Sequence, residues 1–145
     1  MDYTEMVHIA HYIASCAGGK VVEVGVGYRL EVCELLTQMG VEVVPTDLHP
    51  SSCEVVRDDI LSPSPSVYAG VSLVYSLRPP PELWTPIALT AAKVGAQLII
   101  RPFSTEYTDL SAIYRKEQIV SANGVRVVHF THPKRIYRTD VCSDI

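Results

Sequence analysis

The segment Lys20 to Gly27 reads Lys-Val-Val-Glu-Val-Gly-Val-Gly, an apolar run interrupted by one acid and closed by two glycines one residue apart. Such a run is comfortable only as a buried strand of a parallel sheet, where both faces are covered. Glycines at its end let the backbone turn and come close to a ligand, and the helix that follows offers N–H groups at its start. A second acid, Asp47, comes twenty residues after Gly27, at the end of the next apolar run, where a carboxylate is placed for ribose hydroxyls. Together these residues predict a small-molecule, nucleotide-containing cofactor lying across the carboxyl ends of a parallel sheet.

The rest of the chain reads as alternating strands and helices. Met6, Val7, Ile9, Ala10, Ile13, Ala14 and Ala17 lie at helical spacing over residues 4–17, with Thr4 as the expected cap and Gly18-Gly19 as the stop. Strand Val21 to Val24, helix Arg29 to Met39 and strand Val41 to Thr46 follow. Between Asp47 and Asp58 there is no room for a crossover helix, so a third strand around Glu54 to Arg57 is expected to be short. A proline-punctuated loop over 61–67 has space for one helical turn at most. Strand Val71 to Tyr75, helix Pro81 to Lys93 and strand Ala96 to Ile100 come next. Asp109 to Ser121 reads as a helix closed by Asn123-Gly124, then Val125 to Phe130 as a strand. Thr131 to Lys134 reads as a turn and Arg135 to Arg138 as a last, antiparallel strand. The expected fold class is α/β: one three-layer, Rossmann-like domain over residues 1–145, mostly parallel with an antiparallel last strand and trimmed around strand three.

Composition narrows the function classes. A chain of 145 residues, 48% hydrophobic and 19% charged, is globular and long enough to bury a core. It has no stretch of eighteen apolar residues for a membrane, and its acidic N-terminus lacks a signal-peptide pattern, which predicts a cytoplasmic location. Cys16, Cys33, Cys53 and Cys142 show no C-x-x-C spacing, and the pairs His8/His11 and His129/His132 lack companions at metal spacing, so no metal is expected. Residues 1–70 carry ten acids and three bases, residues 71–145 six acids and nine bases. Arg115, Lys116, Arg126, Lys134, Arg135 and Arg138 fit a nucleic-acid backbone or another polyanion, but scattered bases on solvent faces explain them with fewer assumptions. An exposed sheet edge is compatible with a homodimer.

The motifs resemble the class I methyltransferase core, which uses S-adenosylmethionine. Glu23-x-Gly25-x-Gly27 is similar to its first motif, Asp47 to its ribose-binding acid, and Arg57-Asp58-Asp59-Ile60 to its third motif, whose acid meets the adenine amino group. Val-Arg-Asp-Asp-Ile, Leu-Val-Tyr-Ser-Leu-Arg-Pro-Pro and Leu-Ile-Ile-Arg-Pro further resemble a small archaeal family of uncharacterised proteins with this fold. The resemblance implies a cofactor site at Glu23, Gly25, Gly27, Asp47, Asp59 and Ile60, with Ile60 against the adenine face. Glu23 would sit near the cationic end of the cofactor, where a carboxylate is favourable. The adjacent Asp58 competes with Asp59 for the pocket.

Tyr75, Ser76 and Arg78 stand at the end of strand four, where related enzymes keep catalytic or substrate-orienting residues. The Asp/Asn-Pro-Pro-aromatic signature of amino-methylating members is missing there. Arg78 is suited to a phosphate or carboxylate. Position 30, where a dinucleotide fingerprint requires glycine, is leucine, which argues against NAD. Arg29 stands where many methyltransferases have their own third glycine, and its charge would oppose a sulfonium unless it met the methionine carboxylate. Two readings follow: a small methyltransferase of unknown acceptor, or a non-catalytic cofactor-binding or partner protein that keeps the fold.

Overall fold

A computed structural model describes residues 1–135 of the chain. One seven-stranded sheet runs through it, formed by β1 (Lys20–Val24), β2 (Val43–Asp47), β3 (Val56–Arg57), β4 (Val71–Leu77), β5 (Gln97–Arg101), β6 (Tyr114–Ala122) and β7 (Val125–Pro133). The spatial order is β3-β2-β1-β4-β5-β7-β6. The pairings β3 to β2, β2 to β1, β1 to β4 and β4 to β5 are parallel, and β7 is antiparallel to both its neighbours. This is the mostly parallel sheet with an antiparallel last strand expected from the sequence, and β3 has two residues because the Leu48 to Val55 connection leaves no room for more.

Period-two alternation divides the sheet between two helical layers. Val21, Leu73, Tyr75, Ile99 and Val127 pack on one face against α1 (Tyr3–Cys16) and α2 (Glu31–Gln38). Val22, Val24, Val74, Leu98, Ile100, Val128 and Phe130 pack on the other, with α4 (Trp84–Lys93) and the single turn α3 (Pro65–Tyr68). Met6, Ile9, Ala10 and Ile13 form the buried stripe of α1. Its cap is Asp2, whose carboxylate accepts from the Glu5 amide at 2.8 Å, in place of the expected Thr4. Trp84, Ile87, Ala88 and Ala91 bury one face of α4 completely. Each large apolar side chain so buried contributes about 1.5–3 kcal/mol.

The region after β5 departs from the sequence expectation. Residues 114–122 form strand β6, where a helix over 109–121 was expected, and Thr131 to Pro133 continue β7 instead of turning. Lys134 follows the strand; the expected strand Arg135 to Arg138 falls, beyond Arg135, outside the described residues. The physical reason lies in Asn123-Gly124. These residues do not close a helix; they are the two-residue turn of a hairpin, with φ of 51° and 86° and Ala122 paired to Val125. Two positive φ values in succession give the backbone twist that matches paired strands. The charges of Arg115, Lys116 and Glu117, which give the segment a helical look, lie exposed on the edge strand, where they discourage further strand pairing.

The hairpin predicts an asymmetric response to substitution. No atom lies within 4 Å of a Cβ built on Gly124, so Gly124→Ala costs only left-handed backbone strain. A loss of about 1–2 kcal/mol is expected in urea unfolding followed by Trp84 fluorescence. Asn123→Gly, at the same turn, is expected to change stability by less than about 0.5 kcal/mol.

Candidate functional site

The chain leaves β1 at the carboxyl edge of the sheet through Gly25 and Gly27, both in the left-handed region with φ of 73° and 61°. Nothing lies within 4 Å of a Cβ built on either. Their glycine character therefore serves the backbone, and the space before the loop stays open. The Thr46 carbonyl accepts from the amides of Gly25 and Val26, both at 3.0 Å. Asp47 accepts from the Gly27 amide at 2.8 Å and, through its other oxygen, from the His49 amide at 2.9 Å. The glycine bend and Asp47 thus meet in one structure at the ends of β1 and β2. The three loop amides of Gly25, Val26 and Gly27 are thus bound within the chain. With Glu31 and Glu34 in the first turn of α2, this edge is poorly suited to a pyrophosphate.

On the α4 side of the loop lies an open cavity of about 250 Å³. Val24, Gly25, Thr46 and Asp47 form its base, and Asp58, Asp59, Ile60, Leu61, Tyr68 and Leu83 line the remainder, with Leu48 at the rim. Its surface is mainly apolar, and Leu48 and Leu61 expose hydrophobic side chains beside it. Its polar lining includes three acids, Asp47, Asp59 and the most buried of them, Asp58. It is 8% exposed; its Oδ1 accepts from the Ser64 amide at 2.9 Å, and its Oδ2 is buried with no hydrogen-bond partner. Leaving such an atom unmatched is costly, about 1–3 kcal/mol or more for a charged group.

Of the two adjacent acids, Asp58 presents the unmatched oxygen. Asp59 spends Oδ1 on the Leu61 amide at 2.9 Å and its carbonyl on the Ser62 amide at 2.8 Å, which shapes a turn. Ile60 lines the cavity half-buried and packs on the core. Sequence reasoning passed over Tyr68 and Leu83, which come from the proline-flanked turns at 65–68 and 81–83. Neither carries a motif; the prolines that position these turns are the available signal.

A second, smaller cavity of about 130 Å³ lies past Gly25 and is lined by Met1, Glu23, Val26, Arg29, Leu77 and Arg78. Glu23 is 1% exposed, and the Tyr75 hydroxyl donates to its Oε1 at 2.5 Å. Burial pushes the Glu23 carboxyl up to about 8; the Tyr75 hydrogen bond opposes that rise, and the Glu31 charge adds to it. The same burial, with Glu23 alongside, holds the Tyr75 hydroxyl well above its ordinary value. Arg29 is paired with Glu31 at 3.1 Å and donates to the Met1 carbonyl at 3.2 Å.

Two of the residues expected at the acceptor from the end of strand four are buried. Tyr75 is fully enclosed and committed to Glu23, and Ser76 donates to the Val24 carbonyl at 2.7 Å from a site 2% exposed. Both therefore brace β1 against β4. Alternation along β4 puts these two side chains on opposite faces of a covered sheet, and only Arg78, beyond the strand, reaches the open edge.

The Glu23 environment has a sign that can be measured. Its folded value of about 8 exceeds the ordinary carboxylate value. As pH rises through the unfolded value of about 4.3, the unfolded chain releases a proton that the native chain keeps. Stability from this group is full below that pH, falls as pH climbs toward 8, and is flat above. Glu23→Gln is expected to remove this fall and to be the more stable protein at pH 8, by an amount on the order of a few kcal/mol. Urea midpoints at pH 5 and pH 8 for both proteins measure it, and parallel pH dependence in the two would contradict the buried-acid assignment.

A curated relative from Archaeoglobus fulgidus, a "UPF0146 protein", is 44% identical over 115 residues, covering 77% of this chain and 88% of the relative. A second, from Methanothermobacter thermautotrophicus, is 44% identical over 101 residues, covering 68% and 76%. Among solved structures, the CcbJ methyltransferase of Streptomyces caelestis superposes with a TM-score of 0.50 at 16% identity, over 69% of this chain and 52% of that one. The chain thus spans about half the length of that methyltransferase, and the likeness shows a shared methyltransferase-like fold. The model of the Uncharacterised protein family (UPF0146) matches residues 6–132, and the chain belongs to that family.

Proposed function

We propose that the crevice around Gly25 binds S-adenosylmethionine and that the protein transfers its methyl group to an acceptor. The observation that carries this reading is a mainly apolar cavity at a glycine bend that Asp47 ties to β2, lined by Asp58, whose buried Oδ2 has no hydrogen-bond partner. An adenine fits such a cavity: flat faces meet Ile60 and Leu83, and its exocyclic amino group supplies the donor that Asp58 lacks. The expected role of Asp59 accordingly passes to Asp58. Asp47 has used one direction on each oxygen and retains lone pairs for ribose hydroxyls.

Glu23 lines the second cavity, reached across Gly25, where the methionine end would lie. When bound, the cofactor supplies an electrophilic methyl group. Its ammonium and sulfonium charges favour the ionised form of Glu23, so binding is expected to release a proton from a carboxyl that is otherwise neutral near pH 7. The occupied loop amides and the acids of α2 weigh against NAD and other pyrophosphates.

A second reading, binding without turnover, draws on the burial of Tyr75 and Ser76, which takes two candidate proton acceptors away from the open edge. Methyl transfer depends chiefly on proximity when the acceptor is already nucleophilic, so burial of these groups still permits turnover. Radiolabelled methyl transfer into a cell extract separates the two readings.

Calorimetric titration with S-adenosylmethionine and S-adenosylhomocysteine tests binding itself: saturable heat is expected, and none with either compound would remove the reading. Asp58→Asn replaces the unmatched acceptor with a donor while keeping an oxygen for the Ser64 amide. It is expected to weaken S-adenosylhomocysteine binding by about tenfold or more and to favour the inosine analogue, whose 6-oxo group accepts. Unchanged preference between the two analogues would contradict the role given to Asp58.

A further inference from the structure

Three arginines lie at the carboxyl edge, and one of them, Arg78, lines the smaller cavity. Arg101 ends β5, opposite Leu77 of β4, and its carbonyl accepts from the Arg78 amide at 2.7 Å. Its Nη1 donates to the Pro102 carbonyl at 3.0 Å and toward the Arg126 carbonyl at 3.4 Å, which brings the start of β7 to the same edge. Arg126 in turn donates to the Ser104 carbonyl at 3.0 Å. Burial lowers the proton affinity of the Arg101 guanidinium; Glu5 offsets this in part, and the charges of Arg78 and Arg126 lower it further.

These charges are poorly compensated. Among the described residues the one carboxylate in ion-pair reach of the three is Glu5, 3.9 Å from Arg101 Nη2. That separation is too long for a hydrogen bond, and Arg101 Nε and Glu5 Oε2 are both buried without partners. Arg78 is exposed at φ 55°, a left-handed conformation rare for a non-glycine residue, and immediately precedes Pro79. Its guanidinium lies over the exposed ring of Phe103, 5.1 Å from the centroid, with its fork free of any carboxylate in reach. Gathering like charges about a half-buried guanidinium opposes folding unless an anion joins them.

The geometry points to Arg78, Arg101 and Arg126 forming a site for the phosphate or carboxylate group of a small acceptor, next to the cavity that holds Glu23. The assignment as acceptor site rests on the methyltransferase reading; the anion site does not. A guanidinium fork meets either anion with paired, charge-assisted hydrogen bonds, and Phe103 extends the surface for an apolar portion of the same molecule.

Inorganic phosphate is the probe. Its 31P linewidth is followed against the full chain at low ionic strength, with and without saturating S-adenosylhomocysteine. Broadening that saturates, and is equal within about twofold in the two conditions, is expected; Arg78→Gln and Arg126→Gln should each weaken it by about tenfold. Lys116→Gln, on the edge strand away from the cluster, should leave it unchanged. Displacement by acetate at comparable concentration assigns a carboxylate acceptor, and failure of acetate assigns a phosphate; either upholds the site. Competition between phosphate and S-adenosylhomocysteine would overturn the proposal, because the arginines would then serve the methionine carboxylate. No saturable broadening, or broadening indifferent to Arg78→Gln and Arg126→Gln, would overturn it as well. Saturable, arginine-dependent phosphate binding by a chain that ignores S-adenosylhomocysteine would uphold the anion site and sink the cofactor reading alone.

Discussion

The crevice depends on how β1 ends. Parallel pairing with β2 on one side and β4 on the other commits the chain to leave β1 over the carboxyl edge, and the exit is held by neighbours, not by the loop itself. The Thr46 carbonyl takes the amides of Gly25 and Val26, and the Asp47 carboxylate takes that of Gly27. Both acceptors come from the end of β2, so the register of one strand pair sets the shape of the site. Left-handed φ values at Gly25 and Gly27 make this possible without strain, and the missing Cβ atoms leave the space in front empty.

The two cavities on either side of Gly25 differ in their electrostatics. On the α4 side a mainly apolar lining carries Asp47, Asp58 and Asp59, and a buried oxygen of Asp58 and the Tyr68 hydroxyl lack hydrogen-bond partners, an arrangement that favours a neutral ring bearing N–H groups. On the α2 side Glu23 is buried against Tyr75 and holds its proton to about pH 8, so the charge lining that cavity comes from Arg78 and from Arg29, which is paired with Glu31. A cation entering beside Glu23 changes that balance, while the arginines at the ends of β4, β5 and β7 add positive charge farther along the same edge. A ligand with a neutral base suits the first environment, and an anion suits the third.

The hairpin after β5 supplies the antiparallel strand that closes this arrangement. By inserting between β5 and β6, β7 carries Arg126 to the edge and places Val127, Val128 and Phe130 on alternate faces of the core. The sequence Tyr-Arg-Lys-Glu-Gln-Ile-Val-Ser-Ala has enough charge and helix-forming residues to read as a helix, and Asn-Gly is compatible with a helix end as well as a hairpin. Pairing with a strongly apolar partner strand decided between them, because tertiary burial outweighs local propensities of a few tenths of a kcal/mol per residue.

The sequence by itself determined the buried parallel strands, the glycine bend after β1, the acid at the end of β2 and the shortness of β3. Each follows from local chemistry: apolar runs that need two covered faces, a turn that only glycine makes cheaply, a connection too short for a helix. The tertiary structure alone decided which of Asp58 and Asp59 keeps an unmatched oxygen, that Tyr75 and Ser76 turn inward as braces, and that three arginines far apart in the chain share one edge. Those outcomes depend on which face of a strand a side chain occupies and on what the neighbouring strand brings alongside. Register and crossover set both, and neither is written in any single segment of the chain.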